Sequence, residues 1–339
     1  MHTIFEIDAE KRTPKYIQII RSVTRSIQTG KLKKGDRILS INQLSNEFFL
    51  SRDTVQKAYN ALEQEGILIP IKGKGYYINN TDVKAPFKIL LLFNRIGNYK
   101  KQIYDSFIRS MGANAVVDLK IHHSNACLFE KFINTYRKEY DYFVIMPHFY
   151  ENSEIAFQAI QSLPPEKMVI LDKDIRCVNS TYSAVYQDFQ NDICDALESK
   201  LDLMQKYEKM ILVFPKIVSY PTEIVAGFRK FCMLNQFKYS IENEITPEHQ
   251  MNRKEAYLVI EETDLVNLIR ISKKNKLSPG KDVGIISFND TPLKEILADG
   301  ITVITTDHGK MGETAAEMIL KNRKEKIKNP FRMIVRNTL

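Results

Sequence analysis

Cysteine is scarce in this chain. Its 339 residues include four, Cys127, Cys177, Cys194 and Cys232, widely spaced and with no Cys-x-x-Cys pair. That spacing argues against a disulfide framework or a thiolate metal site, and for thiols packed as small hydrophobes in a reducing compartment. The six histidines form no His-Glu-x-x-His and no ligand spacing with cysteine, so no metal is expected. Long apolar runs are missing too. Segments 89–93 and 210–214 are strand-sized, well short of the roughly 18 residues of a membrane span. Glu6, Asp8 and Glu10 fall where a signal peptide needs its apolar core. A cytoplasmic protein with no membrane partner is the expectation. Nucleotide and hydrolase signatures are absent as well. FNRIGNYK stands where GxGxxG would follow the first strand of a dinucleotide fold, and there is no GxxxxGK[ST] and no GxSxG elbow. No acid pair has a spacing diagnostic of hydrolysis. Neither catalytic residues nor a cofactor are expected.

What remains is an ordinary globular composition, 44% hydrophobic and 27% charged, with length for two or three domains. Its charge is less ordinary. Residues 1–80 carry eight lysines and five arginines against eight carboxylates, so +5 of the net +8 sits in the first quarter of the chain. A compact excess of that kind points to a polyanionic partner, or merely to a basic surface.

Within that segment Tyr16, Ile17, Ile20, Val23, Thr24 and Ile27 recur at helical spacing between Pro14 and Gly30. A short helix over 41–48 follows, with Ser40 as its cap. Ser51 caps a third, in which Val55, Ala58, Tyr59 and Leu62 share a face before Gly66. Apolar strands over 67–71 and 76–78 flank Lys72-Gly73-Lys74-Gly75, whose glycines suit the positive φ of a hairpin turn. Three helices and a hairpin make a winged helix-turn-helix. The first turn of the third helix would offer backbone N–H groups to phosphate beside Ser51, Arg52 and Thr54. Arg52 is suited to guanine or phosphate and Gln56, one turn on, to adenine edges. Lys72 and Lys74 would lie near the flanking backbone, where Gly73 and Gly75 permit close approach.

These residues resemble the DNA-binding domain of GntR-type bacterial transcription regulators. The family pattern runs from Gly-Asp-x-Leu-Pro-Ser through Ser-Arg-x-Thr-Val and Leu-x-x-x-Gly to a Gly-x-Gly wing. Gly35-Asp36, Ser40, Leu44, Ser51-Arg52, Thr54-Val55, Leu62, Gly66 and Gly73-x-Gly75 match it. Leu39 replaces the usual proline, Asn42 stands where an arginine is common, and Gln56 replaces another arginine. The resemblance implies double-stranded operator DNA as partner, with Ser40 and Asn42 beside the contacts above, but it does not carry over an operator sequence.

Residues 80–86 are polar and end at Pro86, as expected of a linker between a head over 1–79 and a body over 87–339. In the body, strand-like runs (89–93, 116–121, 143–146, 168–171, 211–214, 257–260, 284–288, 301–305) alternate with helical ones (99–111, 154–162, 190–203, 222–234, 265–274). That is repeated β-α-β and predicts parallel sheets covered on both faces. Breaks near Asp188 and after Thr305 divide it into two doubly wound α/β lobes. Such sheets bind ligands beyond the carboxyl ends of their strands.

The segment DVGIISFNDTPLKEILADGITVITTDHGKMGETAAEMIL resembles the effector domain of LacI-type repressors, related to type I periplasmic sugar-binding proteins. MVILDKD, VYQDFQNDICDAL and TEIVAGFRKF are similar to its lobe crossing and the opening of its second lobe. A winged GntR head on such a body is the arrangement of bacterial arabinose repressors. The resemblance implies a homodimer and a ligand between the lobes. Strand ends then nominate Asn94, Arg95, His148, Asp172, Asp174 and Gln187 from the first lobe and Tyr220, Glu261, Asn289 and Thr306 from the second. Carboxylate, amide and guanidinium groups pair with vicinal hydroxyls, and tyrosine offers a face for C–H patches. Asn289 matches the family's ligand-binding aspartate, Asp290 is expected to cap the next helix, and Ile224 replaces a frequent arginine. The expected function is a DNA-binding regulator, a repressor of a carbohydrate operon released by a monosaccharide. The alternatives are the same architecture sensing a purine, amino acid or phosphorylated metabolite, or an enzyme with a DNA-binding head.

Overall fold

A computed structural model describes residues 4–8, 14–83, 86–175, 182–216 and 220–339. Glu10, Lys84, Ala85 and Cys177, all used above, lie outside them. The chain divides into two compact units, residues 1–88 with 111–117 and residues 89–110 with 118–339.

The head begins with α1 (Lys15–Gln28), which follows Pro14 as its periodicity predicts. The short α2 (Ile41–Glu47) is held by a reciprocal box: the Ser40 hydroxyl accepts from Gln43 N–H at 3.3 Å while the Gln43 side chain accepts from Ser40 N–H at 2.9 Å. Helix α3 (Arg52–Gln64) starts at Ser51, whose hydroxyl accepts from Thr54 N–H at 3.2 Å. Its Val55, Ala58, Tyr59 and Leu62 are fully buried against Val23, Ile38, Leu44 and Ile78. Strands β1 (Leu68–Ile71) and β2 (Gly75–Ile78) pair antiparallel around Lys72-Gly73-Lys74. Gly73 and Gly75 have φ of 74° and 106°, values that a side chain adopts only under strain.

The first lobe comprises β3 (Phe87–Phe93), α4 (Asn98–Met111), β4 (Ala115–Ile121), α5 (Ala126–Tyr136), β5 (Tyr142–Ile145), α6 (Ser153–Gln161), β6 (Met168–Asp172) and β7 (Ser183–Tyr186). The chain then crosses to α7 (Phe189–Glu198), α8 (Leu201–Met204), β8 (Lys209–Val213), α9 (Glu223–Leu234), β9 (Lys238–Glu242), β10 (Glu255–Val259), α10 (Glu262–Lys274), β11 (Gly284–Phe288), α11 (Pro292–Ile296) and β12 (Thr302–Thr306). It returns to the first lobe with α12 (His308–Leu320) and β13 (Lys326–Lys328), and ends in the second with β14 (Phe331–Ile334). The two six-stranded sheets have the orders β13-β7-β6-β5-β3-β4 and β14-β12-β11-β10-β8-β9. The central strands pair in parallel and are buried on both faces, with Ile89–Phe93 and Val213, Val259 and Ile286 at zero exposure.

Several expectations need correction. The 190–203 helix is two, because the chain turns at Ser199 and Lys200 between α7 and α8. Helix α5, with Ala126, Phe129 and Ile133 buried, and strands β7, β9, β13 and β14 were not among the expected elements. Of these, β9 and β13 carry no strong apolar signal. Edge strand β14 runs antiparallel to β12 in an otherwise parallel arrangement. The chain crosses between lobes three times rather than twice, the last time at Asn329-Pro330. Buried Asn329 ties the three crossings together: its N–H donates to the Tyr186 carbonyl at 2.8 Å, and its side-chain amide donates to Thr306 Oγ1 at 2.7 Å and the Asp307 carbonyl at 2.8 Å.

Candidate functional site

The head and the cleft of the body are two separate candidate sites. On the head, Arg52 is exposed in the first turn of α3 and Asn42 in that of α2. Ser40 and Ser51 spend their hydroxyls on caps, and Thr54 Oγ1 lies 2.7 Å from Ser51 Oγ, so these three shape the surface as well as lining it. Exposed Gln56 donates to Asn60 at 2.7 Å, which holds its amide along the outer face of the helix. Lys72 and Lys74 are exposed at the hairpin tip. The hairpin is tied to the helical core by the pairing of Arg37 with Tyr77 and by Ile38 N–H donating to the Tyr76 carbonyl at 3.0 Å. An exposed helix start and two cations on a rigid loop can together engage a polyanion.

In the body, Asn94, Arg95, His148, Asp172, Gln187, Tyr220 and Asn289 converge on one cavity between the lobes. Asp172 ends β6 with φ of 75° and Asn289 follows β11 with φ of 60°. Left-handed backbone at the strand ends of both lobes is the kind of local cost that persists where side chains are aimed at a site. Asp172 is an acceptor hub. His148 Nε2–H donates to its Oδ2 at 2.7 Å and Gln187 donates to its Oδ1. Burial alone would raise the Asp172 carboxyl, but His148, the Lys100 charge and Gln187 outweigh it and hold the group below the usual range. Burial pushes the His148 imidazole down against the opposing pull of Asp172.

Residues absent from the sequence reading line the cavity or brace the turns around it. Lys100, the third residue of α4, is 3% exposed and donates to Asn94 Oδ1, while Asn94 Nδ2 donates to Ser124 at 3.2 Å. Burial pushes the Lys100 ammonium down to about 8 against the opposing pull of Asp172. His308, at the start of α12, lies 5.0 Å from the Tyr99 ring and is pushed down to about 4 by burial. Across the cleft, Lys294 is 3% exposed and its Nζ donates to the Phe288 and Asn289 carbonyls at 2.9 and 2.8 Å, which fixes the turn that carries Asn289. Only the position of these lysines, in the first turn of a helix after a strand end, could have flagged them.

Among the described residues, side-chain pairs join the lobes at the cleft, and Lys328 also pairs with Asp192 at 2.8 Å beside the crossings. Arg95 Nη2 donates to Tyr220 Oη at 3.0 Å and lies 4.0 Å from Glu261, and Lys173 lies 3.5 Å from Glu223. The enclosed space at Asp172 and Asn289 is small, about 20 Å³, room for about one water. A wider groove of about 520 Å³ lies beside it, lined by Lys173, Asp174, Gln187 and Glu223. Three expected residues do not line this cavity. Glu261 reaches it only through Arg95. Asp174 turns to Tyr182 and Lys326, at 2.7 and 2.9 Å. The Thr306 hydroxyl is used by Asn329 and the Pro330 carbonyl at the crossing. Asp290 does not cap α11 but makes a two-pronged ion pair with Arg336 at 2.9 and 2.8 Å. Among the described residues no group of three or more His, Cys, Asp or Glu is arranged to hold a metal ion, and no helix is long and apolar enough to cross a membrane.

Residues 15–78 match the family described as bacterial regulatory proteins, gntR family. The HTH-type transcriptional repressor YtrA of Bacillus subtilis (strain 168) is 37% identical over 76 residues, 22% of this chain and 58% of that protein. The arabinose metabolism transcriptional repressor of Geobacillus stearothermophilus is 36% identical over 75 residues, 22% of this chain and 21% of its own length. The chain therefore spans between about a fifth and three fifths of these relatives, and the shared part is the head. The solved trehalose repressor from Escherichia coli is similar at a TM-score of 0.59 and 13% identity, over 74% of this chain and 100% of that one. A LacI family regulator from Lactobacillus casei with bound glucose reaches 0.60 at 14% identity, over 74% and 99%. At such identities the likeness is one of fold. The head is a gntR-type helix-turn-helix domain, and the body has the fold of LacI-type, periplasmic-binding-protein-like regulators.

Proposed function

We propose that this chain is a ligand-responsive transcription regulator of the cytoplasm. Its head, residues 1–79, binds double-stranded operator DNA, and its body, 87–339 after a linker over 80–86, binds a small molecule and pairs two copies into a homodimer. The effector is a monosaccharide held between the lobes, and its binding releases the operator, so the output is repression of a carbohydrate-utilisation operon. The observation that carries this reading is the cavity to which Asp172 and Asn289, each left-handed at a strand end of a different lobe, both contribute. Paired acceptors and donors of that kind suit vicinal hydroxyls. Relatives of the head are named as repressors, one of them of arabinose metabolism, and one structure of the body's fold holds glucose.

The buried Lys100 favours a second reading, an acidic effector such as a phosphorylated sugar, because an ammonium beside Arg95 is well placed to meet an anion. Calorimetry with neutral pentoses, deoxyhexoses and hexoses beside their phosphorylated forms separates the two. A neutral sugar that binds and also displaces a selected duplex supports the first reading. Binding confined to the charged forms supports the second. Binding by neither class would sink the sensor reading.

A further inference from the structure

The turn between α2 and α3 contains the most exposed large apolar side chain among the described residues. Phe48, Phe49 and Leu50 are consecutive and hydrophobic, and the fold treats them differently. Phe48 packs edge-on against Phe5 with ring centroids 6.1 Å apart, and both Phe48 and Leu50 lie on the head's core. Phe49 between them is 96% exposed. Its φ is +52°, a left-handed conformation that is an outlier for a bulky side chain.

The turn is not loose. Leu50 N–H donates to the Ser45 carbonyl at 3.0 Å, and the Ser45 hydroxyl donates back to the Leu50 carbonyl at 2.6 Å. One residue further on, Ser51 caps α3. Phe49 is therefore clamped between two fixed points in a conformation that glycine or asparagine would adopt with less strain. It presents an aromatic ring to water three residues before Arg52. Both features cost stability, and nothing in the head's own packing repays them. Such an outlier is a pointer to function.

We propose that Phe49 is a DNA-contacting residue whose ring packs on an apolar part of the duplex, a thymine 5-methyl group or a deoxyribose face, beside the N-terminus of α3. This rests on the reading of the head as a DNA-binding domain. Apolar side chains read thymine methyl groups in the major groove, and such a contact complements Arg52, which supplies charge and hydrogen bonds. It also helps compensate for the cationic side chains missing at Asn42 and Gln56.

The test uses the full-length chain and a duplex that it selects from a random pool, with affinity read by fluorescence anisotropy at several salt concentrations. Phe49→Asn tolerates the left-handed backbone and removes the ring. It is expected to keep or raise the melting temperature of the head and to weaken the selected duplex about tenfold. The slope of affinity against salt should stay unchanged, because no phosphate contact is lost. Phe49→Leu should retain most of the affinity. Replacing thymine by deoxyuridine in the duplex removes the Phe49→Asn effect if the methyl group is the partner and preserves it if the sugar is. Wild-type affinity in Phe49→Asn, with Arg52→Ala defective, overturns the proposal and leaves the reading of the head intact. Failure of the wild-type chain to select any duplex overturns both.

Discussion

The Asp172→Asn substitution tests how the cleft is held together. It keeps the shape of the side chain and removes its charge. Two costs follow. The first is the loss of the charged acceptor for His148 at 2.7 Å and for Gln187, about 1–2 kcal/mol. The second falls on Lys100, whose pKa of about 8 already reflects burial opposed by Asp172. Without the carboxylate that pKa falls further, and losing the proton becomes the alternative to bearing the charge unpaired. At pH 7 that escape caps the extra cost near 1.4 kcal/mol, one unit of pKa. The total is about 3 kcal/mol, below the upper range for breaking a buried pair. The sign of the pH dependence then separates the two parts. At pH 9 Lys100 is neutral in both proteins, so its share of the deficit disappears while the His148 share stays. In a Lys100→Met background the same share is absent at pH 7. Urea unfolding of the full chain at pH 7 and 9, in the four corners of the cycle, measures this. A deficit that is unchanged at pH 9 and equally large beside Lys100→Met would refute the coupling of Asp172 to Lys100.

Arg52→Ala is expected to cost about 1–3 kcal/mol of affinity for a selected duplex, and Lys74→Ala to weaken all duplexes alike with a flatter salt dependence; anisotropy titrations check both. Asn289→Ala should abolish ligand binding in calorimetry while leaving ligand-free DNA affinity within about twofold, since the residue sits in the cleft and not in the head. Burial lowers His308 from 6.5 to about 4 in the folded chain. The unfolded chain takes up that proton first, so stability is fully present above about pH 6.5 and falls by about 3 kcal/mol as pH drops to 4. His308→Gln should remove that share of the acid sensitivity in urea melts at pH 4, 5.5 and 7. Asn329→Ala removes the side-chain bonds at the crossings and is expected to cost about 2–3 kcal/mol of unfolding free energy; a cost under 0.5 kcal/mol would count against the role given to it.

What the sequence determined by itself was whatever has a local physical cause. Ser40 and Ser51 announce helix starts because a hydroxyl meets an N–H three residues on, and Gly73 and Gly75 announce a hairpin because positive φ is a property of single residues. The central strands were legible because burial on both faces demands unbroken apolar runs such as residues 89–93. The convergence of Asp172 and Asn289 followed from strand ends and a rule of topology. Tertiary structure alone decided what depends on a distant partner. Edge strands β9 and β13 are short and polar and β14 is only four residues long, and they exist because a neighbouring strand supplies their hydrogen bonds. Asp290 has the sequence position of a cap, but Arg336, 46 residues away, holds its carboxylate. Lys100 and Lys294 read as ordinary surface lysines on amphipathic helices. They are buried cations in the folded chain, because the sequence around a lysine carries no trace of the carbonyl or amide that will receive its protons.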